Sequence, residues 1–244
     1  MYRRKVFLNI GNSFMTAGYF KDGSFVLLKR LPVKIASFSK MAVLNEKNAG
    51  VIVIASVVPE LERAAKKIFK KRVLVIKNRN VPLLNLYDYK DSVGVDRLLA
   101  SLGAVKRYKV PCIVVDFGTA TTINVIGKKG EFKGGLICPG ASLFSSYLFE
   151  KTSLLPNVAL EPVKRVIGRN TKDCIRAGVF HGYTAMISGL IRKVRTETGR
   201  NLKVIATGGW GKMLSPFIKE ISVYDPYLVF YGMQFTAGKT EDRR

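Results

Sequence analysis

Two short stretches, Asn9-Ile10-Gly11-Asn12-Ser13 and Asp116-Phe117-Gly118-Thr119-Ala120, carry one local pattern written twice, 107 residues apart. Each closes a β-rich run on a polar residue, places Gly two residues later, and adds small residues before another strand begins. A chain with such a pair is constrained to build one strand-turn-strand unit and then build it again. The surroundings repeat as well. The first half predicts strands at Lys5 to Ile10, Ala17 to Phe20 and Phe25 to Lys29, mixed helical sequence to Lys47, and a β-branched strand Val51 to Ala55 of the kind covered on both faces. A helix from Glu60 to Lys71 comes next, with Leu61, Ala64, Ala65 and Ile68 at helical spacing, and then a strand Val73 to Ile76. The second half returns the order: strands Cys112 to Val115, Thr121 to Ile126 and Lys133 to Ile137, a helix near Leu143, a long helix from about Lys172 to Thr196, a strand Lys203 to Ala206 and a last helix after Pro226. The fold class is therefore α/β.

Glycine in such a turn can take φ > 0 and lets a ligand come close to the backbone, while the neighbouring Asn, Ser or Thr supplies polar groups. Singly, each junction reads as an ordinary hairpin. As a spaced pair they read as a clamp on a polyphosphate. Gly208-Gly209, after the strand Lys203 to Ala206, leaves room for a flat nucleobase or forms a plain loop.

Composition narrows the classes. At 48% hydrophobic the chain has material for a large core, and its longest apolar run, Val51 to Val58, falls short of the roughly 20 residues that span a bilayer. The start MYRRKVFLNIGNSF offers only Val6-Phe7-Leu8 before polar residues interrupt, too little for a secretory leader. Cys112, Cys138 and Cys174 have neither disulfide parity nor metal-ligand spacing, which points to a reducing compartment, and with the short apolar runs the expectation is a cytoplasmic protein with no membrane partner. The charge is +24, from 41 Lys and Arg against 17 Asp and Glu, in short clusters such as Arg3-Arg4-Lys5, Lys70-Lys71-Arg72 and Lys106-Arg107. That distribution suits a solvated surface or the steering of anions, and no basic module with interleaved aromatics argues for a nucleic-acid partner.

Familiar nucleotide motifs do not account for the chain. Gly238-Lys239-Thr240 lacks the correctly spaced glycine and the strand of a P-loop, and no G-x-G-x-x-G follows a strand. His181 is the only histidine and reads as a packing or surface residue, so acid-base chemistry falls to carboxylates. Asp116 closes a strand at the sheet edge where α/β proteins gather ligands. Asp96, in Val93-Gly94-Val95-Asp96-Arg97, stands at or just inside a helix start, as a functional acid or as a helix cap.

In order along the chain stand NIGNS from Asn9, SVVP at Ser56 to Pro59, VGVDR at Val93 to Arg97, DFGTATT at Asp116 to Thr122 and GGLICPG at Gly134 to Gly140. Beyond them come LLP at Leu154 to Pro156, IGRNT at Ile167 to Thr171, AGVFHGY at Ala177 to Tyr183 and ATGG at Ala206 to Gly209. In these motifs the chain resembles the type III pantothenate kinases of the acetate and sugar kinase, chaperone ATPase and actin superfamily. The resemblance implies two tandem RNase H-like domains with mixed five-stranded sheets, about 1–108 and 109–244, with the site in the cleft between them. It implies transfer of the γ-phosphoryl of ATP to the 4′-hydroxyl of pantothenate, opening coenzyme A biosynthesis, with Mg²⁺ and a monovalent cation, K⁺ or NH₄⁺. Asp96 then corresponds to the proton acceptor, with Gly94, Val95 and Arg97 in the same substrate motif and Tyr87 as the pantothenate-contacting tyrosine. Thr171 corresponds to a pantothenate-contacting threonine that comes from the neighbouring subunit of a homodimer, and Asp116 to the ligand of the monovalent cation. Asn9, Ile10, Gly11, Asn12, Ser13, Phe14, Met15 and Thr16 form the first phosphate turn, Thr119 an ATP contact in the second, and Gly208 and Gly209 the adenosine motif. The chain departs from the family pattern at Asn9, where Asp is usual, and at Tyr89, Lys90 and Ser92, where Asn, Pro and Glu are usual. An amide at position 9 brings no negative charge to a metal. The alternative is therefore a catalytically impaired paralogue that binds nucleotide or pantothenate as a regulatory protein.

Overall fold

The computed structural model describes residues 4–34, 37–41, 49–69 and 72–241. Parts of the basic clusters at 3–5 and 70–72, and most of the helical sequence expected up to Lys47, lie outside the described residues. Contacts divide the chain into two compact units: residues 1–109, 130–132 and 227–244 in the first, and 110–129 and 133–226 in the second. The last helix thus packs with the first unit instead of the second half in which the sequence placed it.

The first unit is a five-stranded sheet of order β3-β2-β1-β4-β5. β1 (Arg4–Ile10), β2 (Phe14–Lys21) and β3 (Ser24–Pro32) form an antiparallel meander, and β4 (Ala49–Ser56) and β5 (Arg72–Val75) add in parallel on the other side of β1. A short helix α1 (Ser37–Lys40) succeeds the meander, and α2 (Pro59–Ile68) joins β4 to β5. Ile52, Val53, Ile54 and Ala55 are fully buried, as a strand covered on both faces requires. On one face Val6, Leu8 and Ile10 of β1 meet Leu61, Ala65 and Phe69 of and just after α2. Phe69 completes the i, i+4, i+8 stripe, because the helix ends at Ile68 and leaves that side chain exposed.

The other face carries α3 (Val95–Arg107) and α7 (Leu228–Glu241), which pack on each other. Phe7 meets Phe20 edge-on at 5.4 Å, and Phe20 meets Tyr231 of α7 at 5.2 Å. The two helices touch backbone to backbone: a Cβ on Gly103 would lie 2.1 Å from the Leu228 carbonyl oxygen, and one on Gly232 would lie 2.0 Å from that of Leu99.

The second unit repeats the plan with order β10-β9-β6-β7-β8. β6 (Cys112–Phe117) pairs antiparallel with β7 (Ala120–Ile126), β8 (Phe132–Pro139) lies outside β7, and β9 (Lys203–Thr207) and the short β10 (Val223–Tyr224) continue the sheet in parallel. Sequence patterning missed β10, whose two residues are too few to show a period. Helices α4 (Ala141–Lys151), α5 (Thr171–Thr198) and α6 (Gly211–Leu214) complete the unit. α5 starts cleanly, with the Asn170 side chain accepting from the Asp173 N–H at 3.0 Å, and ends on Gly199 at φ +62. Its buried face, including Val179, Phe180, Tyr183, Ile187 and Ile191, joins Ile113, Val115 and Val204 of the sheet in one core.

Candidate active site

In the first unit the chemistry gathers where β1, β4 and α3 converge. The turn after β1 is closed by the Gly11 N–H donating to the Phe14 carbonyl at 3.0 Å, and the Val33 N–H donates to the Ser13 carbonyl at 2.9 Å. Asn12, Ser13 and Phe14 project into solvent, Met15 is buried, and Asn9 and Thr16 are half-buried partners across the strands. Gly11 does not take positive φ, nor does Gly118 in the second turn, so the expected use of that freedom is corrected for both. At the end of β4 the Ser56 hydroxyl accepts from the Val58 N–H at 3.1 Å, and the Val57 N–H donates to the Ile10 carbonyl at 3.1 Å. These bonds tie the SVVP segment to the first turn.

Val57 also lies beside Gly94, the residue that caps α3. Asp96 is the second residue of that helix, and its carboxylate folds back so that Oδ1 would sit 2.5 Å from a Cβ on Gly94. Only glycine leaves that space. Oδ1 accepts the Arg97 backbone N–H at 2.8 Å, the hydrogen-bonding part of a first-turn acid. The side chain thus serves the helix start as a first-turn acid. Burial pushes the Asp96 carboxyl above its ordinary value near 3.8, against the opposing pull of the Arg97 N–H and the Arg97 charge.

Arg97 is itself buried, with its guanidinium carbon 5.4 Å from the centre of the Phe132 ring and 5.9 Å from that of Tyr87. Such contacts hold a cation at roughly 0.5–2 kcal/mol each. The Tyr87 segment is fixed against Phe132 by backbone bonds, from the Leu86 N–H to the Phe132 carbonyl at 2.9 Å and from the Phe132 N–H to the Leu84 carbonyl at 2.8 Å. Gly94, Val95, Asp96, Arg97 and Tyr87 are therefore one constellation. Phe132, far away in sequence, is a member that local patterning had no means to find. Tyr89, one of the departures from the family pattern, is 79% exposed, and Lys90 and Ser92 are also exposed.

The second unit places its predicted residues in a different arrangement. Asp116 lies in β6 opposite Thr122 of β7 and Thr207 of β9. Gly208, just beyond β9, has φ +88, and a Cβ there would come within 2.3 Å of Asp116 Oδ1 and 2.6 Å of the Phe117 nitrogen. The carboxylate thus lies along bare backbone. The Tyr224 hydroxyl donates to the Gly208 carbonyl at 3.0 Å, and the Trp210 N–H donates to the Phe117 carbonyl at 3.2 Å. Thr119 is exposed in the two-residue turn, and its carbonyl would lie 2.1 Å from a Cβ on Gly140. Gly209 is exposed beside Gly208. Among the described residues no three His, Cys, Asp or Glu side chains cluster as a metal site.

Thr171 opens α5 and lines an apolar groove of about 810 Å³ with Pro139, Leu143, Tyr147 and Val179. His181 packs its ring edge-on against Phe180 at 5.3 Å, with Nε2 3.3 Å from the Arg165 carbonyl oxygen, the packing role its sequence suggested. The three cysteines are free. No helix among the described residues is long and apolar enough to cross a membrane.

Two sheets of one strand order, each with a tight turn after its central strand, define an actin-like ATPase fold. An archaeal actin homologue shares it at a TM-score of 0.55 and 13% identity over 97% of this chain and 99% of that one. A conserved Baf family protein from Campylobacter jejuni shares it at a TM-score of 0.65 and 23% identity, over 97% and 99%. The sequence profile of type III pantothenate kinase matches residues 5–193, and the chain belongs to that family. A type III pantothenate kinase from Persephonella marina is 35% identical over 93% of this chain and 95% of its own length.

Proposed function

We propose that this chain phosphorylates the 4′-hydroxyl of pantothenate with ATP, the first step of coenzyme A biosynthesis. Asp96 is the single observation that carries the mechanism. It is an acid on a rigid helix start, packed on Gly94 beside the first turn, with its proton affinity raised toward what a base working near neutral pH requires. As the hydroxyl oxygen bonds to the γ-phosphorus, the bond to the β,γ-bridging oxygen breaks, ADP leaves, and the hydroxyl proton passes to Asp96. Arg97, held by Phe132 and Tyr87, presents fixed positive charge to the pantothenate carboxylate. Val95 and Gly94 shape the floor, and Tyr87 offers a ring face and a hydroxyl.

Of the first turn, the exposed Asn12, Ser13 and Phe14 contact the phosphates together with Thr119, with Asn9, Gly11 and Thr16 half-buried beside them, whereas Ile10 and Met15 are fully buried and hold the turn from the core. Gly208 and Gly209 give the adenosine bare backbone. Mg²⁺ and a monovalent cation, K⁺ or NH₄⁺, when bound, would supply neutralisation of the phosphate charge. Asp116 is the residue that would hold the monovalent ion, its carboxylate lying along the Gly208 backbone with no side chain of that residue between them. The free cysteines suit a cytoplasmic setting. The groove lined by Thr171, with Leu143 44% and Tyr147 61% exposed, supports a homodimer in which Thr171 serves the partner's pocket. Sedimentation of an active monomer would sink that part.

A coupled ATP-consumption assay with pantothenate, comparing wild type with Asp96→Asn, tests the reading, and equal rates remove Asp96 from the mechanism. One observation favours a second reading: Asn9 puts a neutral amide where the second sheet has Asp116. On that reading the chain is an impaired paralogue that binds nucleotide without turnover, as calorimetric ATP binding with no phosphopantothenate would establish.

A further inference from the structure

We propose that Asn78 is a positioning residue for both Asp96 and Tyr87. The inference rests on the assignment of Asp96 as proton acceptor. The segment between β5 and α3 leaves the sheet, carries Tyr87, and returns to the start of the catalytic helix. Asn78 stands where that excursion begins, and its side-chain nitrogen donates to the Val93 carbonyl at 2.6 Å, where the excursion ends. The carbonyls of Lys90 and Asp91 lie at 3.4 Å from the same nitrogen. Three carbonyl oxygens around one amide fix its orientation, because only the NH₂ end can face them.

The anchor is itself anchored. Residues 78–80 form a 3₁₀ turn in which the Lys77 N–H donates to Asn80 Oδ1 at 3.0 Å. Lys77 Nζ also reaches Glu62 of α2 at 2.6 Å. From α2 through Lys77 and Asn78, the sheet's own framework is carried across to Val93, the residue next to Gly94. Since Asp96 Oδ1 lies against Gly94, a rotation at the Val93 carbonyl moves the acid directly. The same bond closes the neck of the strap that holds Tyr87, whose far side is pinned to Phe132. The brace grips backbone carbonyls and takes nothing from the exposed side chains at 89, 90 and 92. It therefore keeps its hold whichever residues occupy those positions.

The test uses the full-length protein. Asn78→Ala removes the amide, and Asn78→Asp keeps its size while replacing the donor with oxygens that repel the three carbonyls. Both variants are expected to raise the pantothenate KM at least fivefold while the ATP KM stays within twofold. Both are also expected to speed hydrogen exchange of the Ser92 and Arg97 amides at least tenfold, with the amides of β6 and β9 unchanged. A pantothenate KM within twofold of wild type, a parallel rise in both KM values, or unchanged exchange at Ser92 and Arg97 overturns the proposal. If wild type phosphorylates no pantothenate, the catalytic assignment fails by itself, and the exchange rates alone then judge the brace. If Asn78→Ala does not fold, Asn78→Asp supplies the same measurements.

Discussion

Asn9 and Asp116 hold the same place in two sheets of one strand order. Asn9 pairs with Thr16 on the antiparallel side and Ala55 on the parallel side, and Asp116 pairs with Thr122 and Thr207. The two sheets part company one residue beyond the parallel partner. The first unit continues into Ser56, whose hydroxyl satisfies its own turn, and the second into Gly208, whose backbone at φ +88 lies under the Asp116 carboxylate. One half closes its strand end with a side chain and places its carboxylate elsewhere, at Asp96. The other keeps strand end and carboxylate together. The two sheets share one scaffold, and they differ in a few residues at matched positions.

The strongest way to break that comparison is to remove each unit's acid. Asp96→Asn should lower kcat by about 10²–10⁴-fold, the usual worth of a positioned base. Asp116→Asn should instead change the cation requirement and leave the pH profile in place. An unchanged rate in the first, or a lost acid limb in the second, would reverse the roles.

The strand ends give the next contrast. Gly208→Ala forces a side chain into the left-handed region against Asp116, at a cost of about 1–3 kcal/mol. Ser56→Ala loses one side-chain hydrogen-bond pair, about 0.5–1.5 kcal/mol. Urea unfolding of the two variants measures both, and a larger loss at Ser56 would contradict the asymmetry.

Asn9→Asp makes the two turns alike, and should lower the Mg²⁺ concentration for half-maximal rate a few-fold if that position faces a metal-bound phosphate. No change in the Mg²⁺ titration would place Asn9 away from the ion.

The smallest effect sharpens the case for Asp96. A carboxyl whose pKa rises on folding contributes stability that is complete below its unfolded value and is lost as pH climbs through the folded one. Catalysis runs the opposite way, because the base must be deprotonated, so kcat/KM should rise through the same raised pKa. Asp96→Asn, with no charge to bury, should therefore show a slightly higher Tm than wild type at pH 7. The gap should close as the pH is brought below the ordinary carboxylate range. A variant that melts lower at pH 7 would mean the carboxylate is a stabilising cap instead.

Much of this was legible in advance because it is local. The two turns, the buried strand Val51 to Ala55 and the helix start at Asp96 each leave a signature within a few residues. Phe132 and Asn78 leave none. Phe132 acts on Arg97 and Tyr87 from the start of β8, and Asn78 acts on Val93 across the neck of the strap, contacts that tertiary pairing creates. The destination of α7 was hidden for a related reason. Its apolar character announces burial but not the face it covers, and the glycines that admit it, Gly103 and Gly232, stand on different helices.

The return of α7 to the first sheet fixes an order of assembly. Synthesis runs from the amino end, so the second unit has its whole sequence before the helix that covers α3 emerges. Until then the helix bearing Asp96 has one flank bare, and it gains that cover only after the sequence of the second unit is complete.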